Sequence, residues 1–254
     1  MNEDNSFPGQ KNLLTVFGSF VLIFIAIDRI GAFYAPSDLT IGFWIASLVA
    51  VGILFALEIF VFKRSFLEAF QFLGFGKPDS RTLVITATIG LVTLLFFPIF
   101  SSITGAKVSL PDNWLWKLSG IVAIHGIAEE ALFRGFLFHH LREGRTFNRA
   151  AWLSLVAFAV AHVYLFTYMP VPLALFATLL SLASAFPFAY LFERGGNTIW
   201  APVLLHVSIH AVSFFNISEP HIMTAGVAWM TFLMFALVLI YVLRKKIFEP
   251  RSQN

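Results

Sequence analysis

Eight apolar runs make up most of this chain, and each is long enough to cross a lipid bilayer as a helix. In chain order the runs are 13–35, 41–62, 83–104, 114–141, 149–168, 171–192, 198–215 and 222–243. The hydrocarbon core is about 30 Å thick, and an α-helix needs about 20 residues to span it. Hydrocarbon offers no partners for backbone N–H and C=O groups, so such runs cross it as helices that bond internally. We therefore predict an all-α polytopic membrane protein, a bundle of about eight transmembrane helices.

The composition agrees with a chain that is embedded in lipid. Of its 254 residues, 58% are hydrophobic and 12% are charged, whereas an ordinary soluble domain is about 25% charged. There is no cysteine, which excludes disulfides and thiolate-bound metal centres. The net charge is +3, but the basic residues lie in short loops and are typical of topology signals. We expect one integral membrane domain over residues 1–254, in contact with the lipid bilayer and without a nucleic-acid partner.

The positions of Lys and Arg predict the orientation of the bundle. With an even number of spans, both termini lie on the same side of the membrane. Of the 17 Lys and Arg residues, only Lys107 and Lys117 lie on the opposite side of the membrane, and Arg29 and Arg134 fall in the interior of runs. Loops rich in positive charge stay in the cytoplasm. Both termini are therefore predicted to be cytoplasmic.

The segment between the second and third runs has a helical pattern of its own. Phe66, Phe70 and Leu73 recur at helical spacing beside Arg64 and Glu68. Such a pattern is typical of a short helix that lies on a membrane surface. A loop anchored by aromatic side chains is the alternative.

Some other ionisable residues near the ends of runs are given structural interpretations. Glu58, near Lys63, is interpreted as one partner of a helix-end pair or as a snorkelling group. His139 and His140 fall at the cytoplasmic end of the fourth run, and we interpret them as interfacial residues.

The fourth run contains Glu129, Glu130 and Arg134 within an otherwise apolar stretch. An ionised side chain in the middle of a membrane helix costs about 2.5 to 3.5 kcal/mol even on lenient scales, and such residues are usually functional. Glu130 precedes Arg134 by four residues, the favoured order for an ion pair on a helix. We predict that this pair is structural and that Glu129 is left free for chemistry. His125 lies four residues before Glu129, and we interpret it as an interhelical hydrogen-bonding residue.

Three histidines in later runs are predicted to reach the depth of Glu129. Counted from the cytoplasmic end of each helix at about 1.5 Å per residue, Glu129, His162 and His210 all lie about 20 Å deep. His206 lies one turn nearer the cytoplasm. These four side chains can therefore share one layer of the bundle.

One carboxylate and three imidazoles support two kinds of chemistry. Glu129 beside His162 could hold and deprotonate a water, while His206 and His210 stabilise the oxyanion of an attacked carbonyl. Alternatively, the same four residues are plausible zinc ligands. The H-E-x-x-H motif of many zinc peptidases is absent, because Val207 stands where that motif has its Glu.

The polar residues of these runs form three short motifs along the chain. In order, they are Glu129-Glu130-Ala-Leu-Phe-Arg134-Gly135, Phe158-x-x-x-His162 and His206-x-x-x-His210. The ordered set resembles the signature of the CAAX prenyl protease and bacteriocin-processing (CPBP, or Abi) family of intramembrane proteases, and the resemblance covers about residues 118–215.

The resemblance implies a role for each motif residue. Glu129 and His162 would activate water, and His206 and His210 would form the oxyanion hole. The family more often has Asn at the position of His210, and histidine is a better metal ligand, so the zinc alternative stays open. No cofactor is favoured, and a glutamate-type protease is favoured over a metalloprotease. The supporting residues would be Glu130, Arg134 and Phe158.

We therefore predict an intramembrane endopeptidase that cleaves a membrane-associated protein or peptide, with a catalytic core of about residues 114–217. The alternatives are a zinc-dependent version of the same protease, a non-proteolytic bacteriocin-immunity or scaffold protein, and a small transporter or proton relay. The transporter is disfavoured because the runs show no inverted repeat. The compact chain leads us to expect a bacterial or archaeal plasma membrane.

Overall fold

The structure is a computed structural model that describes residues 8–34, 38–167 and 169–248. Nearly all of these residues are helical, and a ribbon of two short strands is the exception. The all-α fold of a polytopic membrane protein is therefore confirmed. The predicted run ends at Ala35 and Tyr168 lie outside the described residues.

The elements follow one another with short connections. The α-helices are α1 (Pro8–Tyr34), α2 (Leu39–Ala56), α3 (Phe66–Phe72), α4 (Ser80–Thr93), α5 (Phe96–Thr104), α6 (Trp114–Ile121), α7 (His139–Arg142), α8 (Phe147–His162), α9 (Val171–Arg194), α10 (Trp200–Ile209), α11 (Ala211–Phe214) and α12 (Ile222–Phe248). Segments of π-helix cover Leu57–Val61, Val122–Ala128 and Ala131–Phe138, and 3-10 turns cover Val163–Thr167 and Glu219–His221. Strands β1 (Val108–Ser109) and β2 (Asn216–Ile217) pair antiparallel.

Among the residues that the structure describes, six helical stretches are long and apolar enough to cross a membrane, and they correspond to six of the eight predicted runs. They cover 13–34, 39–61, 80–104, 147–167, 171–194 and 219–248. The seventh predicted run contains only the ten residues of α10, followed by α11. The chain is thus a multi-pass membrane protein, while the count of eight spans and the cytoplasmic termini stay predictions.

The fourth predicted run forms an unbroken helical stretch from Trp114 to Arg142, here called the central helix. It is surrounded by α1, α2, α8, α9 and α10. Its residues 131–138 are all buried, as expected for a helix that is apolar on every face. About half of its length is π-helical, a winding that is often found at functional sites.

Two glycines allow neighbouring segments to approach the central helix closely. A methyl group on Gly126 would lie 3.1 Å from side-chain carbons of Val203 and Val207 on α10. A methyl group on Gly135 would lie 2.2 Å from the carbonyl oxygen of Leu73. The central helix is therefore in tight contact with α10 on one side and with the chain that follows α3 on another.

The segment between the second and third runs is a helix, one of the two predicted alternatives. Ser65 caps α3 by accepting a hydrogen bond from the backbone N–H of Glu68, whose carboxylate accepts one from the Ser65 N–H. This capping box satisfies backbone donors at the helix start. Phe66 and Leu67 are exposed, whereas Ala69 is fully buried. The placement of α3 on a membrane surface stays a prediction.

The interpretation of Glu58 as the partner of Lys63 in a helix-end pair, or as a snorkelling group, is wrong. Glu58 is fully buried, and its carboxylate accepts hydrogen bonds from Arg64 at 2.5 Å and pairs with His140 Nε2 at 2.8 Å. His140 is also buried, and the positions of His139 and His140 at the membrane interface stay a prediction. A buried charge needs a paired partner, and the imidazole and guanidinium supply it here.

Candidate active site

His206 lies between the two glutamates of the central helix. Its Nδ1 is 2.5 Å from Oε1 of Glu130, and its Nε2 is 3.6 Å from Oε2 of Glu129. Glu130 is fully buried, whereas 23% of the Glu129 side chain is exposed. The buried carboxylate therefore holds the imidazole, and the accessible carboxylate lies on its other side.

The predicted ion pair between Glu130 and Arg134 is present. Arg134 Nη1 donates a hydrogen bond of 2.8 Å to Glu130 Oε1, and both side chains are almost completely buried. The Arg134 guanidinium lies 4.7 Å from the ring centre of Phe158 and 4.6 Å from that of Phe188. Contacts of this kind between a cation and aromatic rings are stronger where water is excluded. Phe158 thus contacts the ion pair, as a supporting residue would.

His125 contacts both Glu129 and the third motif. Its Nδ1 is 2.8 Å from Oε1 of Glu129. Its ring stacks on that of His210, with centres 3.6 Å apart and planes within 8° of parallel. The contact with His210 joins two helices, as expected for His125, but the contact with Glu129 places it in the candidate site as well. Both oxygens of Glu129 therefore face an imidazole.

His162 reaches the same region from the end of α8. Its Nδ1 donates a hydrogen bond of 2.8 Å to the carbonyl of Phe158, which leaves Nε2 as the acceptor of a neutral ring. The residue lies within electrostatic range of Glu129, His206 and Arg134. Within the described part of the chain, no hydrogen bond joins His162 to any of these three. The structure therefore brings His162 within electrostatic range of the cluster but not into a hydrogen bond with these three residues.

The predicted depths of the third-motif histidines are shifted by one turn. His206, expected nearer the cytoplasm, lies beside Glu129, and His210 lies beside His125. The depth was counted along a continuous helix from Asn197, but α10 begins at Trp200 and residues 197–199 are not helical. Non-helical residues can rise by more than about 1.5 Å, the rise of a helical residue, which accounts for the deeper position of His206.

The segment that carries these residues also matches a known family. Residues 111–212 match the model of the family described as Rce1-like, type II CAAX prenyl endopeptidase. This confirms the predicted resemblance. No curated protein and no solved structure matches the chain.

The Rce1-like segment includes every residue singled out for the site. The description of that family names an endopeptidase. The match overlaps the expected catalytic core of residues 114–217, whose limits stay a prediction. The included residues are Glu129, Glu130, Arg134, Phe158, His162, His206 and His210.

The zinc alternative requires the possible ligands in the Rce1-like segment to converge on one point. Among the described residues, no group of three or more His, Cys, Asp or Glu side chains is arranged to hold a metal ion. Imidazole binds metals through in-plane nitrogen lone pairs, and the parallel rings of His125 and His210 cannot direct theirs at one ion. His206 Nδ1 is already directed at Glu130. In this arrangement the four proposed zinc ligands do not converge on one point. These are Glu129, His162, His206 and His210.

Two neighbours of the Rce1-like motifs have roles that the sequence did not predict. The sequence did contain a signal for the contact of His125, since its i, i+4 spacing from Glu129 places the two residues on one helical face. The sequence contains no such signal for Phe188. It is one of many phenylalanines in apolar helices, and only the packing of α9 places it against Arg134 and 5.4 Å from the ring centre of His206.

Proposed function

We propose that this protein is an intramembrane endopeptidase that cleaves a membrane-associated protein or peptide with a water activated by Glu129. The observation that carries the proposal is the position of His206. This imidazole, from a separate helix, bridges Glu129 and Glu130 inside a segment that matches an endopeptidase family. A paired carboxylate and imidazole at a partly exposed position is the arrangement that general-base hydrolysis requires.

Glu129 acts as the general base in this proposal. Its Oε1 is held by His125 at 2.8 Å, so that Oε2 is available to accept a proton from water. His162 has its Nδ1 proton engaged by the Phe158 carbonyl, and its Nε2 accepts the second proton of that water as a hydrogen bond. The water is thereby oriented before it attacks.

His206 and His210 stabilise the oxyanion that forms on the attacked carbonyl. An ionised carboxylate only accepts hydrogen bonds, so the Nδ1 of His206 that faces Glu130 carries a proton. When His206 also carries a proton on Nε2, its charge and that of Arg134 balance the two glutamates. That Nε2–H is then a donor beside the base, where an oxyanion hole needs one.

The proton returns in the second step. Water gives one proton to Glu129, and the remaining hydroxide forms the new bond to the carbonyl carbon. The tetrahedral intermediate then collapses, the C–N bond breaks, and Glu129 delivers its proton to the leaving amine. The base is regenerated, as general acid–base catalysis requires. We propose the glutamate-type reaction without a metal.

Comparative membrane proteomics tests the proposal even though the substrate is unidentified. Cells that carry the wild-type protein are compared with cells that carry Glu129→Gln, which removes the base and keeps the side-chain shape. An uncleaved precursor should accumulate only with Glu129→Gln. Glu219→Gln, at an exposed position outside the site, is the matched control. Cleavage of the synthetic precursor by purified wild-type protein, with prenylated and unprenylated forms compared, completes the test. Unchanged processing in Glu129→Gln cells would instead support a non-proteolytic immunity or scaffold protein.

A further inference from the structure

A cavity of about 660 Å³ lies apart from the candidate active site, at one end of two spans. The apolar stretch 39–61 ends at its edge and the stretch 80–104 begins close by, so the cavity lies beside the ends of two candidate spans. None of the four proposed catalytic residues lines it. Its walls come from the segment around α3 and from the turn before α10.

The cavity carries an excess of positive charge. Lys63, Arg64 and Lys77 line it. Lys63 and Lys77 are exposed and have neither an ion pair nor a hydrogen bond among the described residues. Arg64 forms the remaining cationic wall and is held in place by Glu58 and Glu143. Two lysines whose charges have no partner among the described residues therefore line one cavity.

The acidic residue in the lining is already engaged. The carboxylate of Glu68 accepts hydrogen bonds of 2.8 Å from both the N–H and the hydroxyl of Ser65, and these bonds hold the pKa of Glu68 below its usual value. Glu68 thus stays ionised within the capping box, and it offsets only part of the charge of the two lysines. Gln71 and Asn197 add polar side chains to the lining.

Exposed apolar side chains flank the cationic cavity. Phe60 and Val61 lie three and two residues before Lys63 at the end of the second span, and Phe66 and Leu67 begin α3 shortly after Arg64. All four are strongly exposed, Phe60 at 69% and Phe66 at 65%. A cationic cavity beside an exposed apolar surface matches a ligand with an anionic head and a hydrocarbon tail.

We propose that this cavity binds the phosphate-bearing headgroup of an anionic membrane lipid. The ammonium groups of Lys63 and Lys77 pair with the headgroup phosphate, while the acyl chains lie along Phe60, Val61 and Leu67. The site is tied to the central helix, because His139 Nδ1 donates a hydrogen bond of 2.7 Å to the carbonyl of Phe72, and both residues line the cavity. The proposal does not depend on the peptidase activity.

Native mass spectrometry of the full chain in detergent tests the site. Phosphatidylglycerol, phosphatidylcholine with the same acyl chains, and inorganic phosphate are titrated separately and in competition. The Lys63→Gln/Lys77→Gln variant removes the two unpaired charges. Lys245→Gln/Lys246→Gln removes two charges near the end of α12 and is the matched control. Thermal unfolding of each variant in the same detergent reports the fold, and Lys77→Gln alone serves if the double variant is unstable.

Phosphatidylglycerol should bind the wild type and the control with the same affinity. It should bind the Lys63→Gln/Lys77→Gln variant at least about tenfold more weakly, because each lysine near an anionic lipid surface strengthens binding several-fold. Lys77→Gln alone should lose several-fold. Phosphatidylcholine should bind more weakly than phosphatidylglycerol, and inorganic phosphate should not displace the lipid. Equal affinity of the variant and the wild type, or of the two lipids, would overturn the proposal. Displacement by inorganic phosphate at equal concentration would assign the cavity to a soluble anion instead.

Discussion

His206 Nε2 lies 3.6 Å from Oε2 of Glu129, across the contact between α10 and the central helix. The approach depends on Gly126, whose missing side chain lets Val203 and Val207 of α10 come within van der Waals distance. The two residues belong to the first and third motifs, which are far apart in the chain. The contact between His206 and Glu129 supports the interpretation that the two motifs belong to one site.

Glu129→Gln should remove cleavage activity while the protein still inserts and folds. The amide keeps the size of the side chain but cannot take a proton from water, and general-base catalysis contributes about 10² to 10⁴ in rate. Turnover of the synthetic precursor, measured beside Glu219→Gln, checks this. Turnover by Glu129→Gln close to that of the wild type would refute the assignment of Glu129 as the base.

His125 should influence the rate through Glu129 rather than through substrate binding. His125→Asn keeps a donor near the Nδ1 position, whereas His125→Phe keeps only the ring that stacks on His210. A hydrogen bond to a charged group contributes about 1.5 to 3 kcal/mol, so His125→Phe should lower kcat by roughly tenfold to a hundredfold with KM little changed. His125→Asn should retain more of the activity. If the two variants are equally impaired, the stack on His210 rather than the hydrogen bond is the contribution that matters.

Glu130→Ala should damage stability and activity together. The substitution leaves the buried Arg134 guanidinium without its carboxylate, and the loss of one partner from a buried ion pair costs about 3 to 5 kcal/mol. It also removes the group that holds His206 Nδ1. Thermal unfolding in detergent measures the first effect, and precursor cleavage measures the second.

The double variant Glu130→Gln/Arg134→Met should regain stability but not activity, because no buried charge remains unpaired. A fully stable and active Glu130→Ala protein would contradict the structural role of the pair.

Local spacing in the sequence accounts for only part of the site. The pairs Glu130 with Arg134 and His125 with Glu129 are four residues apart, and the helix alone brings them together. The depth of His206 relative to Glu129 depends on where α10 begins. Because non-helical residues precede Trp200, His206 lies about one helical turn from the position that was counted along a continuous helix.

Contacts between distant segments could not be predicted from such spacing. The pairing of Glu58 with His140 joins residues 82 positions apart, and the π-helical winding of the central helix has no signature in the sequence pattern. The long apolar runs predicted the membrane-embedded all-α fold, because length and composition suffice for that inference.

Metal removal should leave activity unchanged. The proposed zinc ligands are not arranged as a metal site among the described residues, and His206 is engaged by Glu130. Purified protein should contain much less than one zinc per chain, and dialysis against a chelator should not lower precursor cleavage. Activity that is lost to the chelator and restored by zinc would replace the glutamate mechanism with the metal-dependent alternative.

Gly135→Ala should weaken the contact between the central helix and the chain that follows α3. The added methyl group would lie 2.2 Å from the Leu73 carbonyl oxygen, and because this neighbour is backbone, it cannot rotate away. Overpacking of this kind typically costs about 1 to 3 kcal/mol. Gly52→Ala on α2 is the matched control, because nothing lies within 4 Å of the added carbon and alanine favours a helix by roughly 0.5 to 1 kcal/mol. Thermal unfolding should therefore shift down for Gly135→Ala and slightly up for Gly52→Ala. Equal unfolding temperatures for the two variants would mean that the chain after α3 does not pack against the central helix as closely as described.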